Sequence, residues 1–114
     1  MIDRKKFDEN FKYFEKEIIV EIIDIFQSEY DERFITLREN VRKLDFVQIK
    51  FNAHSLKGVV ANFMEPVTIE LARQLDEKAK NKEVSGLNQL FEELEKSSGI
   101  LLEELLKIKA ELTV

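Results

Sequence analysis

Apolar residues return every three or four positions along almost the whole chain, the period of helices that bury one face. Phe7, Phe11 and Phe14 begin the series and predict a short helix over residues 3–13. Ile19, Ile22, Phe26, Tyr30, Phe34 (or Arg33), Leu37, Val41 and Leu44 continue it and predict a long second helix over 15–43. Ile18, Ile23 and Ile25 widen the first half of that helix beyond one stripe. That end is therefore either deeply buried or offers apolar surface to another molecule.

Asp45, with Gln48 three residues on, has the pattern of a capping box and opens a third helix over about 46–63. Its core stripe is Phe46, Ile49, Ala53, Leu56, Val60 and Phe63. Pro66 cannot continue a helix but suits the first turn of the next, which runs to about Asn81. That fourth helix buries Val67 or Ile69, then Leu71, Ala72, Leu75 and Ala79. A last helix starts near Val84 or Ser85, with Leu87, Phe91, Leu94, Ser98, Leu101, Leu105, Ile108 and Leu112 on its seam. Ser97-Ser98-Gly99 sets small residues into that seam, where a neighbouring helix can come close or the helix can bend.

Few turn residues separate these segments, three glycines and one proline in all, which argues against many short strands. With 44% hydrophobic residues the chain can bury a real core. The expected fold is all-α: an antiparallel up-down four-helix bundle with a short additional N-terminal helix, forming one domain over residues 1–114.

Charge and composition then exclude several classes of function. The net charge of −5, with acids and bases interspersed, disfavours nucleic acid, which needs a concentrated basic face. There is no cysteine and one histidine, so neither a disulfide framework nor a thiolate or imidazole-rich metal site is expected. Glu92-Glu93-Glu95 and Glu103-Glu104 read as solvated helix faces. The greasiest stretch, Ile18 to Phe26, is too short and too charged to span a bilayer, and the N-terminus does not resemble a signal peptide. A cytoplasmic monomer is expected. No glycine-rich phosphate loop is present, so no ATP-dependent kinase activity is expected.

The candidate chemistry lies at Ala53-His54-Ser55-Leu56-Lys57-Gly58. His54 is one helical step, about 100°, from the buried Ala53, which places it beside the core and partly open to water. Lys57 and Gly58 follow at three and four residues, on the same face, and Lys50 precedes by four. An imidazole nitrogen is a good nucleophile near neutral pH. A phosphoryl group placed on it would be stabilised by the lysines, and Gly58 would leave room above the helix. A lone histidine on a helix is more often an ordinary half-buried residue. Yet lysine at +3 with glycine at +4 would coincide by chance only about once in two hundred cases. Mid-helix glycine also costs up to ~1 kcal/mol relative to alanine, so it calls for a reason.

His54-Ser55-Leu56-Lys57-Gly58, in an all-helical chain of this size and with Leu75-Asp76 on the following helix, resembles the histidine-containing phosphotransfer (HPt) domain family. The preceding long helix, with Phe26 and Leu37, adds to a likeness that covers roughly residues 10–82 and, more weakly, the last helix. The resemblance implies a phosphorelay intermediate, a carrier and not an autonomous enzyme, that exchanges a phosphoryl group with aspartyl-phosphate receiver domains of response regulators or hybrid histidine kinases. It implies phosphorylation of His54 at Nε2, charge balance by Lys57 and an open approach over Gly58. It also implies an imidazole oriented through Nδ1 by Asp76, and added positive charge from Lys80. No cofactor is implied in this chain, since the receiver brings the magnesium. The expected docking patch is Ile18, Ile22, Val47, Lys50 and Phe51.

Against the family pattern, Met64 stands where a second glycine is usual. Methionine suits a left-handed turn poorly, so a differently built connection, shaped by Pro66, is expected. The competing functional reading is a helical interaction module without phosphotransfer, binding a partner helix or a second copy through the Ile18–Phe26 face.

Overall fold

A computed structural model describes all residues, Met1–Val114. It contains five helices: α1 (Arg4–Asn10), α2 (Lys16–Arg42), α3 (Phe46–Val60), α4 (Pro66–Lys80) and α5 (Leu87–Leu112). A 3₁₀ turn, Ala61–Phe63, ends the third helix. Helices α2 to α5 form a ring in which each runs antiparallel to its neighbours, the up-down bundle expected. Side-chain contacts fix the register: Arg33 to Ser55 and Asn40 to Asn52 between α2 and α3, and Thr68 to Ser97 between α4 and α5. The ring closes where Tyr30 donates to the Glu95 carbonyl and Lys109 pairs with Asp24.

At 27 and 26 residues, α2 and α5 outrun the 15-residue helices α3 and α4. Their overhanging halves would expose apolar surface, and α1 covers that end. Ile2, Phe7 and Phe11 are buried there, and the Asp3 side chain caps the helix by accepting from the Lys6 amide. The first helix stops at Asn10, three residues earlier than its phenylalanine spacing suggests, because the chain turns at Phe11 to reach α2.

The core stripe of α3 follows the sequence pattern, with Ile49, Ala53, Leu56, Val60 and Phe63 buried and Phe46 partly buried, and Asp45 caps the helix by accepting from the Gln48 amide. Several other stripe positions differ, and Phe14 and Leu44 are exposed. On α2 the buried residue is Ile23, whereas Ile22 is only partly buried. On α4 the buried residue is Thr68, whose hydroxyl is hydrogen-bonded to Ser97, and Val67 is exposed. Val84 is exposed, since α5 begins only at Leu87, after Gly86 turns with φ +72°. The small residues of α5 do admit close neighbours: a Cβ added at Gly99 would lie 3.2 Å from the Tyr30 hydroxyl.

The α3–α4 connection departs from the sequence expectation. Met64 adopts the left-handed conformation, φ 57° and ψ 42°, that a glycine would take more easily. Tertiary contacts hold it there. The Asp3 amide donates to the Met64 carbonyl at 2.8 Å, Asn10 donates to the Asn62 carbonyl, and the Met64 side chain packs against the core. The following residue, Glu65, caps α4 by accepting from the amides of Val67 and Thr68. Pro66 occupies the first turn, where no amide is needed.

Candidate functional site

Helix α3 is anchored by Ala53 and Leu56, both buried, so the adjacent residue His54 must emerge at the edge of the core. Its side chain is 71% exposed. The ring is not loose: Nδ1 stands 3.4 Å from Oδ2 of Asp76 on α4, whose side chain is 19% exposed. An ionised carboxylate only accepts, so this contact selects the tautomer with hydrogen on Nδ1. The lone pair is then on Nε2, which has no partner within the chain. An exposed, oriented imidazole nitrogen on a helix is an arrangement that can act as a nucleophile.

Cations surround it on the α4 side. The His54–Asp76 contact sets the register of the antiparallel pair. Lys50, four residues before the histidine, therefore faces Lys80, four residues after the aspartate, and Lys57 flanks the other end. None of the three lysines enters an ion pair. Arg73, on the stretch of α4 that faces Lys57, is clasped by Glu70. Hydrogen bonds from Arg73, then from Gln74, pull the Glu70 carboxyl down to about 2.

Gly58 is exposed, and a Cβ built there would meet nothing within 4 Å. No packing inside the chain requires a glycine at this position. Val47 and Phe51, 75% and 67% exposed, share the outer face with His54 and Gly58 at helical spacing. The middle of α3 thus presents an apolar ridge that ends on the imidazole.

Not every residue expected at the site is brought to it. Arg33 lies level with Ser55, and Ile18 is fifteen residues further down α2, about 22 Å at the rise of a helix. Ile22 is about 16 Å from the same level and is partly buried. A docking area of about 800 Å² per partner has a radius near 16 Å. Ile22 therefore falls at its rim and Ile18 beyond it. In their place the α2 flank of α3 carries a polar seam. Arg33 donates to Ser55 at 3.3 Å while held by Glu29, and Asn52 donates to Asn40 at 2.7 Å. The signal for this seam was polar residues, Asn52 and Ser55, bordering an otherwise apolar stripe.

No three acidic, histidine or cysteine side chains converge to hold a metal ion, and no helix is long and apolar enough to cross a membrane. Curated proteins include no match to the chain. The crystal structure of histidine-containing phosphotransfer protein B (HptB) from Pseudomonas aeruginosa PAO1 superimposes with a TM-score of 0.87 at 22% identity, over 96% of this chain and 95% of that one. At that identity the likeness is one of fold. The Hpt domain family itself matches residues 21–111, most of the chain and all of α3 and α4, and the chain belongs to that family.

Proposed function

We propose that His54 is the residue on which this phosphorelay intermediate carries its phosphoryl group. The observation that carries the reading is the exposed imidazole whose Nδ1 faces Asp76 and whose Nε2 is free. In the forward step Nε2 attacks the phosphorus of a receiver's aspartyl phosphate. An N–P bond forms as the acyl phosphate's P–O bond breaks, and the receiver's carboxylate leaves. The hydrogen on Nδ1 stays in place, and the positive charge that develops on the ring lies against Asp76. Lys57, with Lys50 and Lys80, offsets the charge of the bound phosphoryl group. The reverse step returns the group to another receiver through the same atoms.

Gly58 supports the same reading, since a helix-weakening residue with nothing packed against it leaves space for the partner. Magnesium belongs to the receiver's side of the complex. Docking uses the ridge of Val47 and Phe51 with Lys50 at its border, exposed apolar residues ringed by charge that suit a transient interface. The domain works as a monomer in the cytoplasm, meeting receivers one at a time.

The test is incubation with a panel of purified receiver domains charged with acetyl phosphate. Acid-labile, base-stable phosphate is expected on the wild-type chain and none on His54→Gln. Label that persists in His54→Gln, or a wild type that no receiver labels, overturns the assignment.

A further inference from the structure

Between α2 and α3, one helix face away from His54, lies a cleft of about 380 Å³. Its floor is apolar, formed by Phe34, Leu37 and Leu56, all buried core residues. Its mouth is polar and carries Glu29, Glu32 and Asn52. The one cation there, Arg33, is already engaged, bound to Glu29 at 2.8 Å and turned toward Ser55. Glu32 is exposed and enters no ion pair, so the cleft keeps one uncompensated negative charge. An apolar floor beneath an acidic mouth is the complement of an amphipathic cation, whose methylene stem buries while its charged head stays at the rim.

We infer that the α2–α3 cleft is a specificity pocket for a lysine or arginine side chain on the docking surface of the receiver domain. This rests on the phosphorelay reading and adds to it a partner chemistry. The two flanks of α3 then differ in sign. The α4 side presents the unpaired Lys50, Lys57 and Lys80 to the receiver's acidic, phosphate-bearing pocket, and the α2 side presents Glu32 to a basic residue. Opposite charges on either side of the apolar ridge fix the orientation in which the receiver settles on the imidazole, and they steer its approach. The cleft lies about one helix diameter, some 10 Å, from the imidazole, within the footprint of a standard interface.

The test compares wild type with Glu32→Gln and Glu32→Lys, changes on an exposed helix position that leave the core intact. Two donors are used: receiver domains charged with acetyl phosphate, and phosphoramidate, which needs no docking. With charged receivers at low salt, transfer is expected to slow several-fold in Glu32→Gln and at least ten-fold in Glu32→Lys, with the gap narrowing as salt is raised. With phosphoramidate all three proteins should label equally. Equal or faster transfer from receivers to Glu32→Lys overturns the inference while leaving His54 as acceptor. Slowed labelling by both donors also overturns it, since Glu32 would then act on the imidazole and not on the partner. A wild type that neither donor labels is a failure of the phosphorelay assignment itself.

Discussion

Nδ1 of His54 stands 3.4 Å from Oδ2 of Asp76, across the seam between α3 and α4. The distance is long for a hydrogen bond, and such contacts tighten when the partner binds and charge develops. On the proposed reading Asp76 holds the tautomer and the ring angle that leave Nε2 free to react. Asp76→Ala is expected to slow transfer from charged receivers about 10- to 100-fold, with little change in the concentration of receiver needed for half-saturation. Stopped-flow or quenched transfer assays at varied receiver concentration check the split. A change confined to half-saturation would make Asp76 a docking residue.

Met64 holds a left-handed backbone that costs a residue with a side chain about 1–2 kcal/mol, offset by the bond from the Asp3 amide and by core contacts. Methionine is unbranched at Cβ, so the strain is bearable. Met64→Val adds branching at the worst position and is expected to destabilise the fold by a further ~1–2 kcal/mol, read from urea unfolding. Unchanged stability would mean that the turn had relaxed into another shape.

These two residues also mark the boundary of what sequence reading reaches. His54, Lys57 and Gly58 were legible because their spacing on one helix alone places them on one face. Asp45 and Pro66 were legible because caps and first turns are local chemistry. Asp76 came from the family likeness, and the short turn that forces α3 and α4 to run antiparallel brings its carboxylate to 3.4 Å from the imidazole. The remote members were not legible. Whether Ile18 lies beside the imidazole depends on how far α2 slides along α3, and the Arg33–Ser55 and Asn40–Asn52 contacts set that offset. Met64 was misjudged for the same kind of reason: its backbone is held by Asp3, sixty-one positions earlier in the chain.

Glu65 makes part of the stability depend on pH. Its side chain is almost fully buried, yet it accepts from the amides of Val67 at 3.2 Å and Thr68 at 2.6 Å and from the N-terminal amine at 3.1 Å. Burial alone would raise its pKa, but the bonds with Thr68, the N-terminus and Val67 outweigh it and hold the carboxyl below its ordinary value. A depressed folded pKa stabilises the protein fully above the unfolded value, near pH 4.3, and this contribution is lost as pH falls through the folded value. Glu65→Gln should cost about 1–2 kcal/mol at pH 7. The gap to wild type should shrink on acidification to about pH 3.5. Urea unfolding at the two pH values checks this, and a gap that stays constant would show that shape and not charge is at work.

Gly58 separates stability from function most sharply. A Cβ at this exposed mid-helix position meets nothing inside the chain. Gly58→Ala therefore gains helix propensity and lowers the entropy of the unfolded chain without strain, and should stabilise the protein by about 0.5–1 kcal/mol. The same methyl group stands one turn from His54, where on the proposed reading the phosphoryl group and the receiver's loops approach, so transfer from charged receivers should fall several-fold. Labelling by phosphoramidate, a far smaller donor, should fall less. The pairing of a higher unfolding midpoint with slower transfer is the expected signature. If Gly58→Ala is both more stable and as fast as wild type with every receiver, the open space above this glycine is not used in docking.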